Sequence, residues 1–275
     1  MQYIDVQGVK VPALGFGTWM LSGRAAYEAT RHALDLGYRH IDTAQLYGNE
    51  AEIGRAIRDS GIARSEIFLT TKVPPTNLHA AAAKRSHEES LKRLGLDYVD
   101  LLLIHWPNAQ VLLGETLEAL AALRAAGKTR HIGVSNFTVA LLREAVETHR
   151  AELLCNQVEY HPFLSQRAVL ALQKRYEMFL TAYAPVARGR VFSDKTLAAI
   201  GRKYGKSGGQ VVLRWLIEQE RVAAVPKAAQ RAHAAANIAI FDFALTAEDR
   251  AAIDALAEGE RLVEWGGYSP RWDAE

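Results

Sequence analysis

Eight short apolar runs separated by helix-length segments constrain this chain more than any other feature. They lie at 13–17, 38–42, 67–72, 99–105, 131–135, 153–158, 179–184 and 222–226. Such runs read as buried strands, and strands alternating with helical patterns imply a parallel sheet whose strand ends all point one way. The segments between them carry helix punctuation. Ala26, Ala29, Ala33 and Leu36 fall at helical spacing before Gly37, and Asn77 could cap a helix over 78–94 that stops at Gly95. Further helices are expected over 115–125, 165–176, 228–237 and 246–256, the last starting at Thr246. Residues 193–220 can hold two, broken near Gly205 to Gly209. Ahead of all this, Val6-Gln7-Gly8-Val9-Lys10 reads as a small hairpin.

Eight alternations in 275 residues fit an α/β fold of one kind, a single (β/α)8 TIM barrel domain over residues 1–275 with an N-terminal β-hairpin. The competitor is a doubly wound open sheet. Gly15 and Gly17 match the first two glycines of a dinucleotide fingerprint, but Met20 stands at the third position and no acidic residue is clearly placed for a ribose. The barrel is the better fit.

Bulk properties exclude several classes of function. A net charge of +2, evenly spread, gives no footprint for nucleic acid or an acidic membrane. Cys155 is the sole cysteine, so neither an intramolecular disulfide nor a multi-cysteine zinc site is available. No apolar run approaches the ~18 residues of a membrane span, and no signal peptide is evident, so the cytoplasm is the default compartment.

Chemistry concentrates at the strand ends. Asp42, Lys72 and His105 each close an apolar run, and Tyr47 follows Asp42 by five residues. Singly, each has an ordinary role open to it: Tyr47 packing its loop, Lys72 paired with Asp42, His105 satisfied in the core. Together at strand ends of a barrel they point to a site for proton transfer, because barrel active sites are built on that face. A free phenol has a pKa near ~10, above the range of a good general acid at neutrality. A neighbouring ammonium is expected to lower it, a carboxylate to hold the ammonium, and a neutral imidazole to orient a substrate oxygen. Such apparatus protonates a developing alkoxide, and hydride must come from elsewhere.

Gly15-Phe16-Gly17-Thr18-Trp19, Gly37-Tyr38-Arg39-His40-Ile41-Asp42-Thr43-Ala44, Thr71-Lys72, Ile104-His105-Trp106-Pro107, Ile132-Gly133-Val134-Ser135-Asn136-Phe137, Asn156-Gln157-Val158-Glu159-Tyr160-His161-Pro162, Ala182-Tyr183-Ala184-Pro185 and Val225-Pro226-Lys227 resemble, in order and over nearly the whole chain, the motif set of the aldo-keto reductases. The tail, with Glu260-Arg261-Leu262-Val263 and Ser269-Pro270-Arg271-Trp272-Asp273, is similar to that of bacterial 2,5-diketo-D-gluconate reductases of the B type. The resemblance implies an NADPH-dependent carbonyl reductase. Tyr47 would be the acid, Lys72 and Asp42 would tune it, and His105 would orient the carbonyl. It also implies an extended cofactor. Ser135, Asn136 and Gln157 would hold the carboxamide and Tyr183 would stack on the nicotinamide. Gly17, Thr18, Asp42, Ala184, Pro185, Val186, Arg188, Val225, Lys227, His233 and Asn237 would make further contacts. Trp19, Trp106 and Trp265 would wall the substrate pocket with Tyr47 and His105. The stretch 258–275, with Trp265, Tyr268 and Trp272, would be a C-terminal substrate loop over a small carbonyl compound, and the family leans towards monomers.

One departure bears on the cofactor. Many relatives read Pro-Lys-Ser after the last strand, with an arginine six residues beyond the lysine. Here Ala228 replaces the serine and His233 the arginine, while Lys227 and Asn237 remain. A 2′-phosphate is held best by a guanidinium, so NADPH is expected to be preferred by a modest margin, with NADH usable. Arg231 is the alternative clamp. Arg188, Arg261 and Arg271 are candidates to meet a substrate carboxylate. Two other readings compete: a barrel aldolase forming a Schiff base on Lys72, against which Asp42 argues, and a non-catalytic family member.

Overall fold

The computed structural model describes residues 1–273. A hairpin of β1 (Tyr3–Val6) and β2 (Val9–Pro12) turns through Gln7 and Gly8, both at positive φ. Among the described residues, eight parallel strands then form one sheet in sequence order: β3 (Phe16–Gly17), β4 (His40–Asp42), β5 (Phe68–Val73), β6 (Val99–Ile104), β7 (Thr129–Ser135), β8 (Cys155–Glu159), β9 (Phe179–Tyr183) and β10 (Val222–Ala224). The ends of that sheet meet. Leu14 bridges Ala224 and Gly17 bridges Lys227, so the sheet curls into the barrel expected from the alternation.

Gly17 explains itself at this seam. A Cβ there would stand 2.6 Å from the Val225 carbonyl oxygen, so only glycine lets the two edges approach. The glycines that mimic a dinucleotide fingerprint belong instead to barrel closure.

Outside the sheet lie α1 (Gly23–Asp35), α2 (Glu50–Asp59), α3 (Ala80–Leu94), α4 (Leu113–Ala125), α5 (Val139–Arg143), α6 (Arg167–Arg175), α7 (Lys195–Tyr204), α8 (Gly208–Glu218), α9 (Arg231–Ile238) and α10 (Ala247–Asp254). The long segment is two helices: α7 ends at Gly205 in the left-handed region, and Ser207 and Gln210 form a capping box for α8. Thr246 and Asp249 do the same for α10.

Three local expectations need correction. Asn77 is not a helix cap. It ends a 3-10 turn and donates to Ser86 Oγ, while the first N–H of α3, on Ala80, is taken by Glu115 of α4 at 2.7 Å. The helix α2 was not among those expected, although Ile53, Ala56 and Ile57 fall at helical spacing and Glu50 and Glu52 occupy its first turn; its buried stripe is short and contains Gly54. A Cβ on Gly54 would lie 1.9 Å from the Leu94 carbonyl oxygen, so this apparent helix breaker permits close packing on the end of α3. Finally, α5 and the π-helical turn Glu144–Thr148 fill the β7–β8 connection, where no helix was expected. Among the described residues, no helix is long and apolar enough to cross a membrane.

Candidate active site

The barrel strands are buried along most of their length, and the polar groups considered for chemistry gather towards their C-terminal ends. Lys72, one residue from the end of β5, is completely buried. Its Nζ donates to Asp42 Oδ1 at 2.6 Å, to the Thr43 carbonyl at 2.9 Å and to the Tyr47 hydroxyl at 3.3 Å. Three oxygens around one ammonium satisfy the hydrogen-bonding that burial removed from water. Gln157 on β8 donates to the other Asp42 oxygen at 2.7 Å, so both carboxylate oxygens are fixed.

Tyr47 is carried by a 3-10 turn, Gln45–Tyr47, beyond β4. Its ring meets His105 edge-on with centroids 5.6 Å apart. The turn is held from below by Asn49, which sequence reasoning missed. Asn49 donates to the Thr18 and Leu21 carbonyls and accepts from Thr43 Oγ1. It followed Gly48 in a polar loop and carried no signal of its own.

Burial governs the protonation states. It pushes the His105 imidazole well below its ordinary range, with the Lys72 charge adding to that, so the ring is neutral near pH 7. Burial opposes the Lys72 charge too, but the Asp42 carboxylate and the Tyr47 oxygen outweigh it and hold the ammonium above its usual value. For Tyr47 the outcome reverses the expectation from sequence. Burial raises the phenol, and the lowering influence of Lys72 offsets it only in part. The ammonium limits the rise rather than producing a net fall.

The residues expected to hold a carboxamide form a linked polar patch beside this cluster. Asn136, at the end of β7 with φ of 63°, donates to the His105 carbonyl at 2.9 Å and to Ser135 Oγ at 3.1 Å, and accepts from the Tyr183 hydroxyl at 2.7 Å. Ser135 donates to the Gln157 carbonyl at 2.8 Å, and Thr18 fixes the Asp42 carbonyl with both N–H and Oγ1 at 3.0 Å. After β9, Ala184, Ala187 and Arg188 lie at positive φ around Pro185 and Val186, and Arg188 reaches back over the exposed Trp19 ring at 5.8 Å.

The aromatic wall lies across the mouth. Trp106 is buried between Trp265 and Trp272, each with its centroid 6.2 Å away, and Tyr268 packs on Trp265 at 5.0 Å. Of the three arginines considered for a substrate carboxylate, Arg261 is engaged with Glu159 at 3.8 Å and with the Trp272 face at 3.6 Å, and Arg188 stands over Trp19. Arg271 is exposed.

With this geometry in view, the sequence profile of the Aldo/keto reductase family matches residues 13–258. The chain belongs to that family. It is 40% identical over 266 residues to a methylglyoxal reductase DkgB of Escherichia coli O157:H7, covering 96% of this chain and 99% of that one. A crystal structure provisionally described as a 2,5-diketo-D-gluconic acid reductase B is similar at 48% identity and a TM-score of 0.97, covering 100% of this chain and 98% of the other. A Bombyx mori aldo-keto reductase solved in complex with NADP is similar at 32% identity and a TM-score of 0.89, covering 96% of this chain and 95% of the other.

In this aldo-keto reductase the positions that depart from the family pattern sit at the β10–α9 connection. Lys227 is exposed beside the seam, Ala228 is buried, and His233 is exposed in the first turn of α9, with its N–H on the Gln230 carbonyl. Asn237 is half-buried one turn on. Arg231, the alternative clamp, is exposed and lies 3.9 Å from Asp35. Val225 is buried and faces Gly17 across the seam.

Proposed function

We propose that this chain reduces small aldehydes and ketones, 2-oxo aldehydes of the methylglyoxal kind among them, with NADPH as hydride donor. The observation that carries the reading is the buried ammonium shared between Asp42 and the Tyr47 hydroxyl, facing a neutral imidazole. The polar patch of Ser135, Asn136 and Gln157 beside Tyr183 suits an amide-bearing ring, and exposed Lys227 at the β3–β10 seam suits a phosphate. Bound NADPH supplies the hydride.

The chain's own residues do the rest. Tyr47, kept protonated by burial, gives its proton to the carbonyl oxygen as negative charge develops there. Lys72 stabilises the phenolate left behind, because its Nζ already touches that oxygen. Asp42 holds the ammonium in place, and Gln157 holds Asp42. His105 stays neutral, so it can donate one hydrogen bond to orient the carbonyl without competing as a proton source. The aromatic wall of Trp106, Trp265 and Trp272 excludes water from the reacting atoms. Relatives named as methylglyoxal and 2,5-diketo-D-gluconate reductases support a 2-oxo or diketo substrate. A Schiff base on Lys72 is disfavoured, since a nucleophilic amine must be neutral and this one is held charged by Asp42.

Carbonyl-dependent loss of NADPH fluorescence tests the reading. A panel of methylglyoxal, 2-keto esters, aromatic aldehydes and 2,5-diketo-D-gluconate is expected to show turnover with at least one member. No turnover across the panel, with NADPH shown to bind, would refute it.

A further inference from the structure

The end of β8 carries a carboxylate that proton transfer does not use. Glu159 lies two residues beyond Gln157, so both project from the same face of the strand, Gln157 reaching Asp42 and Glu159 one layer higher. Its side chain is fully buried. One oxygen accepts from the Leu262 N–H at 2.8 Å and from His161 Nε2 at 3.0 Å. The other accepts from the Val263 N–H at 3.0 Å, with the Arg261 guanidinium 3.8 Å away. Gln166 closes the loop by donating to the Glu159 carbonyl at 2.8 Å.

Those two main-chain donors belong to the C-terminal strap. Past them, the strap makes a turn of its own: the Trp265 N–H bonds Ser269 Oγ at 2.8 Å, and the Tyr268 and Ser269 N–H groups bond the Trp265 carbonyl. Trp265 and Trp272 are thereby laid against Trp106, and Asp273 accepts from the Val139 N–H at 2.9 Å. A cavity of about 640 Å³ borders the strap at Arg261, Glu264 and Trp272, so close packing does not fix its position on that side. Directed bonds take over there: an Arg190–Glu258 ion pair holds the start of the strap, and the Leu262 and Val263 N–H groups on the buried Glu159 carboxylate hold it next to the aromatic wall.

We propose that Glu159 is a positioning residue that seats the strap, and that through Trp265 and Trp272 it sets which carbonyl compounds the mouth accepts. The same strand thus aligns the proton-transfer centre through Gln157 and the substrate wall through Glu159. The specificity part rests on the carbonyl-reductase reading, whereas the seating part does not.

Limited trypsin digestion of the whole chain, followed by mass spectrometry, reads the seating directly. Cleavage after Arg261, whose side chain is held by Glu159 and Trp272, is expected to be at least about tenfold faster in Glu159→Gln than in the parent, because charged hydrogen bonds to the strap are lost. Cleavage after exposed Arg150, in the β7–β8 connection and off the strap, serves as the internal control. With turnover established, KM for an aromatic aldehyde is expected to rise by about tenfold, while kcat/KM for methylglyoxal changes by less than about threefold and NADPH affinity is unchanged. Val263→Pro removes one strap donor without touching the barrel and is expected to reproduce both effects, and it replaces Glu159→Gln if that variant does not fold. Glu159→Asp is expected to restore protection in part. Unchanged cleavage after Arg261 in a folded variant would overturn the seating role. Faster cleavage with an unchanged aromatic KM would overturn the specificity role, and absence of turnover in the parent would fail the carbonyl reading alone.

Discussion

At the residue scale the proposed chemistry rests on three side chains, Tyr47, Lys72 and His105. Sequence spacing puts Lys72 and His105 at strand ends and Tyr47 just beyond one, but it carries no measure of the cost of burial, so the expected fall of the Tyr47 phenol is reversed in the structure. Removing the phenolic proton in Tyr47→Phe is expected to lower kcat by at least about a hundredfold, the lower range for general acid catalysis, with NADPH affinity nearly intact. A variant retaining more than about a tenth of parental turnover would rule out the role. The pH profile follows from the signs. Reduction needs the protonated phenol, burial raises the phenol above its ordinary value, and His105 is neutral because burial lowers it. The rate of carbonyl reduction is therefore expected to be flat from about pH 6 to about 9 and to fall only above about pH 10. In Lys72→Met the influence that lowers the phenol is lost, so any residual activity is expected to fall at still higher pH. The same variant leaves Asp42 buried without its cation, so denaturant titration is expected to show a loss of about 3–5 kcal/mol.

Elements were legible where a period or a turn residue spoke for them. The eight strands, the hairpin and the break between α7 and α8 are such cases, since apolar runs, Gly8 and Gly205 act locally. What failed depended on contacts distant in sequence. The helix α2 hides behind Gly54, whose missing Cβ only makes sense beside Leu94, and α3 is capped by Glu115 from another helix. The seam between β3 and β10 is the most demanding of these contacts. Gly17→Ala would set a methyl group 2.6 Å from the Val225 carbonyl oxygen, at a backbone that also carries Thr18 against Asp42. Overpacking of this kind costs about 1–3 kcal/mol, and calorimetry is expected to show the lowered Tm. An unchanged Tm would mean that the seam relaxes freely and does not hold the barrel closed.

The whole molecule divides into a barrel that folds around its own strands and a strap that lies across one end. The motif set made the first part readable, because each motif sits where a strand reaches the rim. The strap was readable only as aromatics without a helical period, since its course depends on Glu159, Arg190 and Val139, which lie far away in sequence. Ala274 and Glu275 of the expected loop lie outside the described residues. Deleting 260–275 removes Trp265 and Trp272 from Trp106 but, among the described residues, takes no strand or helix with it. The truncated chain is expected to keep its far-ultraviolet circular dichroism, because the buried barrel core carries most of the stability. Buried Trp106 becomes exposed, so its fluorescence is expected to shift to the red. Selectivity among carbonyl compounds is expected to flatten, since the wall that discriminates by shape is gone while Asp42, Tyr47, Lys72 and His105 remain in place. Loss of the circular dichroism signal on truncation would show instead that the strap is part of the folded core, and retained selectivity would show that the barrel rim alone reads the substrate.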